Sequence, residues 1–369
     1  MEHKVVLGSL FGDEGKGMTV NWLCKQAIEQ GKTCSVVRMC NGPQAGHTVV
    51  ENGIRHIFSS FGSGTLLGIP TVYTDSAYID PICMLNEYKI LLEKGIIPKF
   101  SCTLARVITP YDVIANRQDV QNLKDGTCGK GTYKAVQRPF QVLFGQFISN
   151  NTVRSFLVYS FLRKVRLYYG LKKEKKLEDL FYSSIEELIK LQDIALNTEI
   201  FDVQIYESTQ GLLLDANKGF IPHVTATSIV PDFNFLLEHT DVYLVCRSYL
   251  TRHGNFGNSI RLIKIPYPVK KDYTNVWNEY QGEFYKGLFS IDLLKEAFKK
   301  HNLKDFNIRY NLVITHCDDI RDGFSYLLNY QVKTGDINSF INDIKNSVDI
   351  SFKHIYINSS EQSNLLKYE

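Results

Sequence analysis

The hexapeptide GDEGKG at positions 12 to 17 combines glycines, a lysine and two acids directly after the apolar run VVLGSLF. The backbone amides of a glycine-rich loop and the ammonium group of Lys16 are suited to holding phosphate. The carboxylates of Asp13 and Glu14 would be repelled by phosphate, unless a carboxylate shares a metal ion with it or acts as a base on a neighbouring substrate. The combination therefore indicates a phosphate site at which Asp13 takes part in chemistry.

Other interpretations of the hexapeptide are weaker. A tight turn with two acids at a helix N-terminus would suit the helix macrodipole without any ligand. The pattern is not the P-loop motif G-x-x-x-x-G-K-[ST], because Leu10 stands five places before Gly15 and Gly17 follows the lysine. It is also not the dinucleotide motif G-x-G-x-x-G. The sequence thus argues against a P-loop kinase or GTPase.

The hexapeptide lies at a junction between a strand and a helix. The apolar runs KVVLGSL (4–10) and CSVVRM (34–39) predict two buried parallel strands, joined by a helix that begins near Lys16. Open α/β sheets bind ligands at the carboxyl ends of their strands. We therefore expect an α/β fold with a largely parallel central sheet flanked by helices, in a single domain over residues 1–369.

Further elements follow the same kind of pattern. A helical insertion is predicted over residues 136–196, beginning with VQRPFQVLFGQFI, and Ser184 and Glu187 within it have capping-box spacing. The other predicted elements, in chain order, are a hairpin at Asn52-Gly53, a helix over 82–95 ending at Gly95, the strands FDVQIYE, VYLVCRSY, IRLIKI and RYNLVITH, the helices IDLLKEAFKKH and FINDIKN, and the strand SFKHIYI.

The composition is that of an ordinary folded protein. The chain has 369 residues, 44% of them hydrophobic and 22% charged, with a net charge of +3. This balance argues against nucleic acid or a membrane as a partner, despite a basic run over 164–176, and no apolar stretch reaches the ~18 residues that span a bilayer. Eight scattered cysteines without a CxxC pair, and no signal segment, lead us to expect free thiols and a cytoplasmic location, the host cytoplasm if the protein is viral.

A series of segments, spread over nearly the whole chain, resembles segments of the adenylosuccinate synthetase family and follows the same order. The resemblance implies that family's fold, which is related to the P-loop NTPases. The matching segments are GDEGKG (12–17), NGPQAGHTVV (41–50), DGTCGKG (125–131), YESTQGLLLD (206–215), HVTATS (223–228), TRHGNFG (251–257) and LVITHCDD (312–319). Several independent motifs in the same order make coincidence improbable.

The resemblance implies a two-step ligase reaction. Asp13 would remove the proton from N1 of a 6-oxopurine nucleoside monophosphate, so that O6 attacks the γ-phosphate of a nucleoside triphosphate. His47 would donate a hydrogen bond or a proton to the developing charge. The amine of L-aspartate would then attack C6 and phosphate would leave. A positioned carboxylate, an imidazole, a lysine and Mg²⁺ are suited to these tasks.

The same resemblance implies three groups of site residues, and a homodimer in which Arg138 reaches the neighbour's monophosphate. Without the resemblance, His47 would be interpreted as a surface or strand-capping histidine, and Thr127 and Thr225 as hydroxyls that stabilise turns. Asp318 would be a helix cap, whereas the resemblance implies that it accepts hydrogen bonds from a guanine base. The implied triphosphate site is Gly12, Asp13, Glu14, Gly15, Lys16, Gly17, Met18, Gly46, His47, Thr48 and Asp318. The implied monophosphate site is Asp13, Lys16, Gln44, Thr127, Arg138, Gln210 and Thr225, and the implied Mg²⁺ ligands are Asp13 and Gly46.

The region expected to bind aspartate departs from the family pattern. The family carries the arginine-rich segment TTGRRRR there, whereas this chain has NEYQGEFYKG (278–287) with Lys286 as its one cation. Aspartate must therefore be held by other residues, for which Arg252, Arg247 and Lys286 are the candidates.

Two further departures concern the bases. Gln44 replaces an asparagine beside the purine, and His316 and Cys317 replace the Lys-Leu pair of the base-reading loop, which leaves GTP, ATP and dATP open. The shortness of the chain and its missing arginines make it similar to members of the small viral branch of the family. That branch acts on dGMP and makes the precursor of 2-aminoadenine deoxynucleotide. We therefore favour dGMP as the monophosphate, with IMP as the alternative. A purine-nucleotide-binding protein without turnover is a further alternative.

Overall fold

The computed structural model describes the chain except for residues 122–125, 232–239, 255–261, 276, 278, 281, 304–307, 360–363 and 369. The α-helices of the described residues are α1 (Lys16–Glu29), α2 (Pro81–Glu93), α3 (Pro110–Gln118), α4 (Thr132–Gln137), α5 (Asn151–Tyr168), α6 (Lys175–Leu191), α7 (Ile291–His301) and α8 (Ile337–Ser347). The strands are β1 (Glu2–Gly8), β2 (Cys34–Arg38), β3 (His47–Glu51), β4 (Ile54–Phe58), β5 (Thr71–Tyr73), β6 (Tyr78–Ile79), β7 (Phe100–Ser101), β8 (Arg106–Val107), β9 (Val203–Gly211), β10 (Thr240–Arg247), β11 (Tyr249–His253), β12 (Phe284–Ser290), β13 (Ile308–Thr315), β14 (Ser325–Leu328), β15 (Gln331–Thr334), β16 (Phe352–Ile357) and β17 (Leu366–Tyr368).

The central sheet contains nine strands among the described residues, in the order β17-β16-β13-β10-β1-β9-β2-β5-β7. All neighbouring strands pair in parallel except β17, which runs antiparallel to β16. Helix α1 connects β1 to β2 across β9, so β1 lies between β9 and β10, two strands from the second half of the chain. The predicted parallel α/β sheet is confirmed.

Both faces of the sheet are buried, which explains the continuous apolar runs in its strands. Val5 and Leu7 of β1 pack on one face and Val6 on the other, and all three are fully buried. A separate apolar cluster lies beneath α2, α5 and α6. Strands covered on both sides lose the alternation of polar and apolar residues that marks a half-exposed strand.

A smaller sheet and a hairpin flank the central sheet. The smaller sheet has the order β11-β12-β14-β15 among the described strands. Strands β3 and β4 form the predicted hairpin, in which Asn52 and Gly53 have φ of 50° and 77°. The predicted helix over 82–95 is α2, which begins at Pro81 after the Asp80 cap and is followed by Gly95 with φ of 76°.

Three predictions of local structure are wrong. VQRPFQVLFGQFI is not one helix, since α4 ends before Arg138, whose extended conformation is the one favoured by the following proline. Ser184 does not cap a helix, because α6 begins at Lys175 and the Ser184 hydroxyl donates to the Leu180 carbonyl. Of IRLIKI (260–265), residues 262–265 form no strand and residues 260 and 261 lie outside the described residues.

Two expectations about the whole chain can be compared with the structure. All eight cysteines lie within the described residues and carry free thiols. Over the same residues, no helix combines the length and the apolar character required to cross a bilayer.

Candidate active site

A cavity of about 560 Å³ opens where the central strands end. Its wall includes the loop after β1, the residues before β3, the end of β9 and the region between β10 and β11. Separate stretches over 126–128, 222–226 and 270–275 also line it. The predicted site residues that line it are Asp13, Glu14, Gly15, Lys16, Gly17, Met18, Gln44, Gly46, His47, Thr48, Thr127, Gln210 and Thr225.

The loop after β1 presents a lysine and a helix N-terminus to the cavity. Gly12 and Gly15 have φ of 93° and 100°, and Gly15 is the N-cap of α1. Lys16 begins the helix and is 3% exposed, and this burial lowers its pKa. A buried cation beside free backbone amides favours an anionic ligand such as phosphate.

Asp13 is the acid of the loop that faces the cavity. Its backbone is left-handed, with φ of 55°, and its carbonyl accepts a hydrogen bond from Nε of Arg247. Its side chain is 24% exposed, and Oδ2 lies 3.8 Å from Nε2 of His253. The carboxylate is therefore available to a ligand, as the proposed roles in proton removal and metal binding require.

Glu14 is directed away from the ligand space, although the residue belongs to the cavity wall. Its Oε1 accepts a hydrogen bond of 2.7 Å from the backbone amide of Leu10, and Oε2 lies where a side chain at Gly8 would be. Burial raises the pKa of Glu14 to about 8. The expected role of this side chain at the triphosphate is therefore not supported by the geometry.

His47 is oriented by a carboxylate from a distant strand. Its Nδ1 lies 2.6 Å from Oε1 of Glu207 in β9, and a carboxylate accepts, so Nδ1 carries the hydrogen. Burial lowers the pKa of His47, against the opposing effect of Glu207. The remaining nitrogen, Nε2, is buried and has no hydrogen-bond partner within the described part of the chain. The ring therefore keeps one nitrogen for a ligand in the cavity.

Glu207 is itself held by several donors. Burial alone would raise its pKa, but His47, Arg38 and Ser63 together lower the pKa of Glu207 to about 2. Nη1 of Arg38 lies 3.3 Å from the carboxylate, and the amide and hydroxyl of Ser63 also donate to it. The carboxylate is therefore ionised and fixed, which positions the imidazole of His47.

The predicted monophosphate residues surround the other part of the cavity. The side-chain carbonyl of Gln210 lies against Gly12, which leaves no room for a side chain at that glycine. Oε1 of Gln44 accepts from the Gly42 amide at 2.9 Å and from the Thr132 hydroxyl at 2.8 Å. Because Oε1 of Gln44 faces these two donors, the amino group of the same side chain points away from them.

The hydroxyls of Thr127 and Thr225 have partners within the protein. Thr127 donates to Oδ1 of Asn116 at 3.2 Å, and Thr225 donates to the carbonyl of Thr227 at 2.8 Å. Both residues line the cavity. The Thr127 oxygen also accepts from the Gly129 amide at 3.5 Å. These contacts fix the two side chains and leave at least one lone pair on each oxygen that could accept from a ligand.

Arg138 does not lie at the cavity. It is 2% exposed, Nε lies 3.0 Å from Oδ1 of Asp112, and the other nitrogens donate to the carbonyls of Val107 and Phe140. These bonds replace hydration of a buried guanidinium and join α4 to the residues around α3. The expectation of an arginine that extends to a neighbouring subunit needs correction, since this side chain is committed to its own chain.

Asp318 also lies outside the cavity wall. Its Oδ2 lies 2.6 Å from Nζ of Lys270, which does line the cavity. His316 lies in the wall with its backbone left-handed at φ of 59°, and burial lowers its pKa well below the usual value. Cys317 is not part of the wall. The base-reading role of Asp318 stays a prediction, and in this structure its carboxylate is paired with Lys270.

The three candidates for aspartate binding differ in position. Arg247 and Arg252 line the cavity, whereas Lys286 does not and donates to the carbonyl of Lys270. Arg247 is engaged with Asp13 and Asp272. Burial lowers the pKa of Arg252 to about 10, and its guanidinium lies 4.8 Å from the ring centre of Phe11. Arg252 is the best placed of the three.

Comparison with known proteins identifies the family. The family model for adenylosuccinate synthetase matches residues 5–346. The chain belongs to the adenylosuccinate synthetase family. This family consists of carbon–nitrogen ligases, in agreement with the resemblance noted from the motifs.

Adenylosuccinate synthetases of several bacteria are similar to the chain. The protein of Thermodesulfovibrio yellowstonii is 28% identical over 247 residues, 62% of this chain and 57% of that protein. The protein of Deinococcus radiodurans is 26% identical over 352 residues, 85% of this chain and 82% of that protein. The protein of Francisella tularensis is 31% identical over 285 residues, 69% of this chain and 64% of that protein. The chain thus covers less than two thirds of the first and third relatives.

Two solved structures share the fold of the chain. A fully ligated adenylosuccinate synthetase from Plasmodium falciparum has a TM-score of 0.74 and 17% identity, over 99% of both chains. The cyanophage S-2L succinoaminodeoxyadenylate synthetase (PurZ), bound to dGMP and dATP, has a TM-score of 0.65 and 16% identity, over 99% of this chain and 95% of that chain. At these identities the likeness is one of fold.

Within the adenylosuccinate synthetase fold, sequence reasoning missed several residues of the site. Glu207 belongs to the matched segment YESTQGLLLD, but only Gln210 of that segment was singled out. An acid three residues before a predicted ligand, at the same strand end, was the available signal. The stretch over 270–275 carried no signal at all. Its Thr274 accepts from Arg55 at 2.6 Å, which joins this stretch to the hairpin.

Proposed function

We propose that the chain is a ligase that couples L-aspartate to C6 of a 6-oxopurine nucleoside monophosphate, with hydrolysis of a nucleoside triphosphate. The observation that carries the proposal is the shared cavity of Asp13, Lys16, His47 and Gln210. A protein that only binds nucleotides has no need of a base and an acid in one cavity. Family membership supports the same reaction class.

In the first step Asp13 is the base. Its partly exposed carboxylate takes the proton from N1 of the purine, and the resulting charge on O6 makes that oxygen a nucleophile. O6 forms a bond to the γ-phosphorus while the bond from that phosphorus to the bridging oxygen breaks, so a nucleoside diphosphate leaves. Lys16 and the amides of Gly15 and Gly17 stabilise the transferring phosphoryl group by charge and hydrogen bonds.

His47 is proposed to act through Nε2. Its Nδ1–H is committed to Glu207, so Nε2 can donate only when the ring is protonated. Phosphate oxygens beside Nε2 would raise the proton affinity of the buried ring, and the ionised Glu207 would stabilise the imidazolium. The pair can therefore supply a hydrogen bond or a proton to the developing charge.

The residues expected to hold Mg²⁺ fit such an ion. Asp13 offers a carboxylate oxygen and Gly46 a backbone carbonyl, both in the cavity wall. Mg²⁺ commonly binds through one or two protein oxygens together with phosphate oxygens and water. The described residues contain no cluster of three or more His, Cys, Asp or Glu side chains that could bind a metal ion. The other ligands of the ion would therefore be phosphate oxygens and water. Bound there, Mg²⁺ would supply charge neutralisation to the phosphates.

In the second step the amine of L-aspartate attacks C6. The nitrogen–carbon bond forms, the amine loses a proton, and the bond between C6 and O6 breaks, so that inorganic phosphate leaves with O6. Arg252 is the cation proposed to hold an aspartate carboxylate, since it lines the cavity, whereas Lys286 does not and Arg247 binds Asp13 and Asp272.

We infer dGMP as the monophosphate, with IMP as the alternative. Both carry O6 and a proton on N1, so the same residues serve either one. The absence of the arginine-rich segment from residues 278–287 and the similar fold of a phage protein bound to dGMP and dATP support dGMP. The triphosphate is GTP, ATP or dATP, and a homodimer in the family manner is also proposed.

One assay tests these proposals together. The protein is incubated with Mg²⁺, aspartate, and dGMP or IMP paired in turn with GTP, ATP and dATP. We expect aspartate-dependent release of phosphate and an N6-succinyl purine nucleotide detected by mass spectrometry. Phosphate release without aspartate would favour a nucleotide hydrolase. Binding of nucleotide without any turnover would favour the non-catalytic alternative.

A further inference from the structure

His253 lies beside the proposed base, at the end of β11. Its Nε2 is 3.8 Å from Oδ2 of Asp13 and 3.3 Å from Oδ1 of Asn275. The side chain is 16% exposed and its ring packs 4.8 Å from that of Phe284. Its other nitrogen, Nδ1, is buried without a hydrogen-bond partner among the described residues. The polar contacts of this ring are thus made through Nε2.

The orientation of Asn275 determines which nitrogen of His253 carries the hydrogen. Nδ2 of Asn275 donates to Oδ2 of Asp272 at 2.8 Å, and the amides of Thr274 and Asn275 donate to Oδ1 at 2.9 and 3.0 Å. Asp272 accepts all of these bonds, so the amino group of Asn275 must face it. Oδ1 of Asn275 therefore faces His253, and an amide oxygen only accepts, so Nε2 carries the hydrogen.

The guanidinium of Arg247 anchors both ends of this arrangement. Its Nη2 lies 3.0 Å from Oδ2 of Asp272, and its Nε donates to the backbone carbonyl of Asp13. One buried cation thus fixes the left-handed backbone of the base. Through Asp272, Asn275 and His253 it also fixes the donor that faces the carboxylate of Asp13. Arg247 therefore holds the backbone of Asp13 directly and acts on its carboxylate indirectly, through His253.

Resting on the proposed function, we propose that His253 is a positioning residue that holds the carboxylate of Asp13 through its Nε2–H. A contact of 3.8 Å in a ligand-free site is long, but such bonds tighten when substrate fills the cavity. The one hydrogen on Nε2 is shared between Oδ1 of Asn275 and Oδ2 of Asp13, which orients one carboxylate oxygen of Asp13 and leaves the other for N1 of the purine.

Three substitutions at one position separate this role from a structural one. His253→Val removes the donor, His253→Gln returns an N–H near the position of Nε2, and His253→Asn places it near Nδ1 instead. We expect kcat to fall at least about tenfold for valine and asparagine. Glutamine should stay within about threefold of the wild type. KM for the triphosphate should change little in all three, and melting temperatures should stay close together.

Retained kcat in His253→Val, or equal losses with glutamine and asparagine, would overturn the inference. His354→Val, a histidine of β16 outside the cavity wall, is the matched control and should keep full activity. Absence of turnover in the wild type with every substrate pair would instead overturn the proposed function.

A second measurement does not depend on turnover. ¹⁵N NMR of the histidine side chains, with His253→Gln used for assignment, reports which nitrogen carries the hydrogen. We expect the Nε2–H form in the wild type, because Asn275 accepts there. The Nδ1–H form would overturn the inference even if the enzyme were inactive.

Discussion

His47 and Glu207 illustrate how single residues of the site depend on distant partners. The two lie 160 residues apart in the chain and 2.6 Å apart in space. Burial disfavours a charged imidazole, whereas Arg38 and Ser63 keep the carboxylate ionised. Burial therefore favours the neutral imidazole, and Glu207 holds the ring in the orientation that leaves Nε2 for a ligand. The role proposed for His47 therefore depends on the carboxylate of Glu207 as much as on the imidazole ring.

Replacement of Asp13 by asparagine should separate binding from chemistry. Asparagine keeps the size of the side chain but cannot take a proton, so we expect triphosphate affinity to stay within about tenfold while turnover is lost. Binding is measured by calorimetry and turnover by phosphate release. Asp75→Asn, at an exposed position, is the control. Turnover within about tenfold of the wild type would remove Asp13 from the role of base.

Replacement of Glu207 by glutamine should impair His47. The amide of glutamine can donate to Nδ1, which would favour the wrong tautomer, so we expect kcat to fall by about 100-fold or more. The control is Glu87→Gln, since Glu87 is also buried and lies 3.5 Å from a histidine, His56, outside the cavity wall. Both variants should be less stable than the wild type. Only Glu207→Gln should have a lower kcat once kcat is expressed per folded enzyme molecule. Equal effects on kcat would contradict the assigned role.

At the scale of elements, the loop between β1 and α1 uses its two acids in opposite ways. Asp13 faces the cavity, whereas Glu14 turns back toward β1 and binds the amide of Leu10. The absence of a side chain at Gly8 gives Glu14 its space. The loop is therefore built around a buried carboxyl group whose pKa is raised to about 8.

This raised pKa predicts a pH dependence of stability. Between pH 4.5, the ordinary pKa of the group, and about pH 8, the folded chain keeps a proton on Glu14 that the unfolded chain loses. The free energy of unfolding should therefore fall as pH rises through this window, by at most about 1.4 kcal/mol per pH unit. Glu14→Gln should remove this part of the slope in urea titrations. Glu29→Gln, at the exposed end of α1, should leave the slope unchanged, and an unaltered slope in Glu14→Gln would contradict the argument.

At the scale of the molecule, the cavity joins parts of the chain that are far apart in sequence. Its wall combines the loop after β1, the hairpin, the end of β9 and the stretch over 270–275. Arg55 of the hairpin donates to Thr274, which links two of these parts directly. A ligand that touches all of them would favour the assembled state of the whole wall.

The proposed substrates should therefore stabilise the protein against heat. Mg²⁺, triphosphate and monophosphate together should raise the melting temperature more than each one alone, since a ligand at 100 times its Kd adds about 2.7 kcal/mol. Differential scanning fluorimetry measures the shift. Pyrimidine nucleotides are the control and should have little effect. Equal shifts with purine and pyrimidine monophosphates would argue against a purine site.

The sequence alone determined the features that depend on short stretches of chain. The apolar runs of β1 and β2 predicted buried parallel strands, because a strand covered on both faces has no polar positions. Asn52-Gly53 predicted its hairpin because both residues accept a positive φ at low cost. The motif GDEGKG predicted a phosphate loop at a strand end, and the collinear segments predicted the family.

Only the tertiary structure decided which side chains meet. Glu207 joins His47, and Arg247 joins Asp13 across 234 residues, through strand order that no local pattern reveals. The inward turn of Glu14 and the burial of Arg138 have the same origin. Each depends on which groups surround the side chain after folding, and burial makes a polar group take whatever partner lies within reach. Residue type fixes the chemistry that is possible, and packing selects where it occurs.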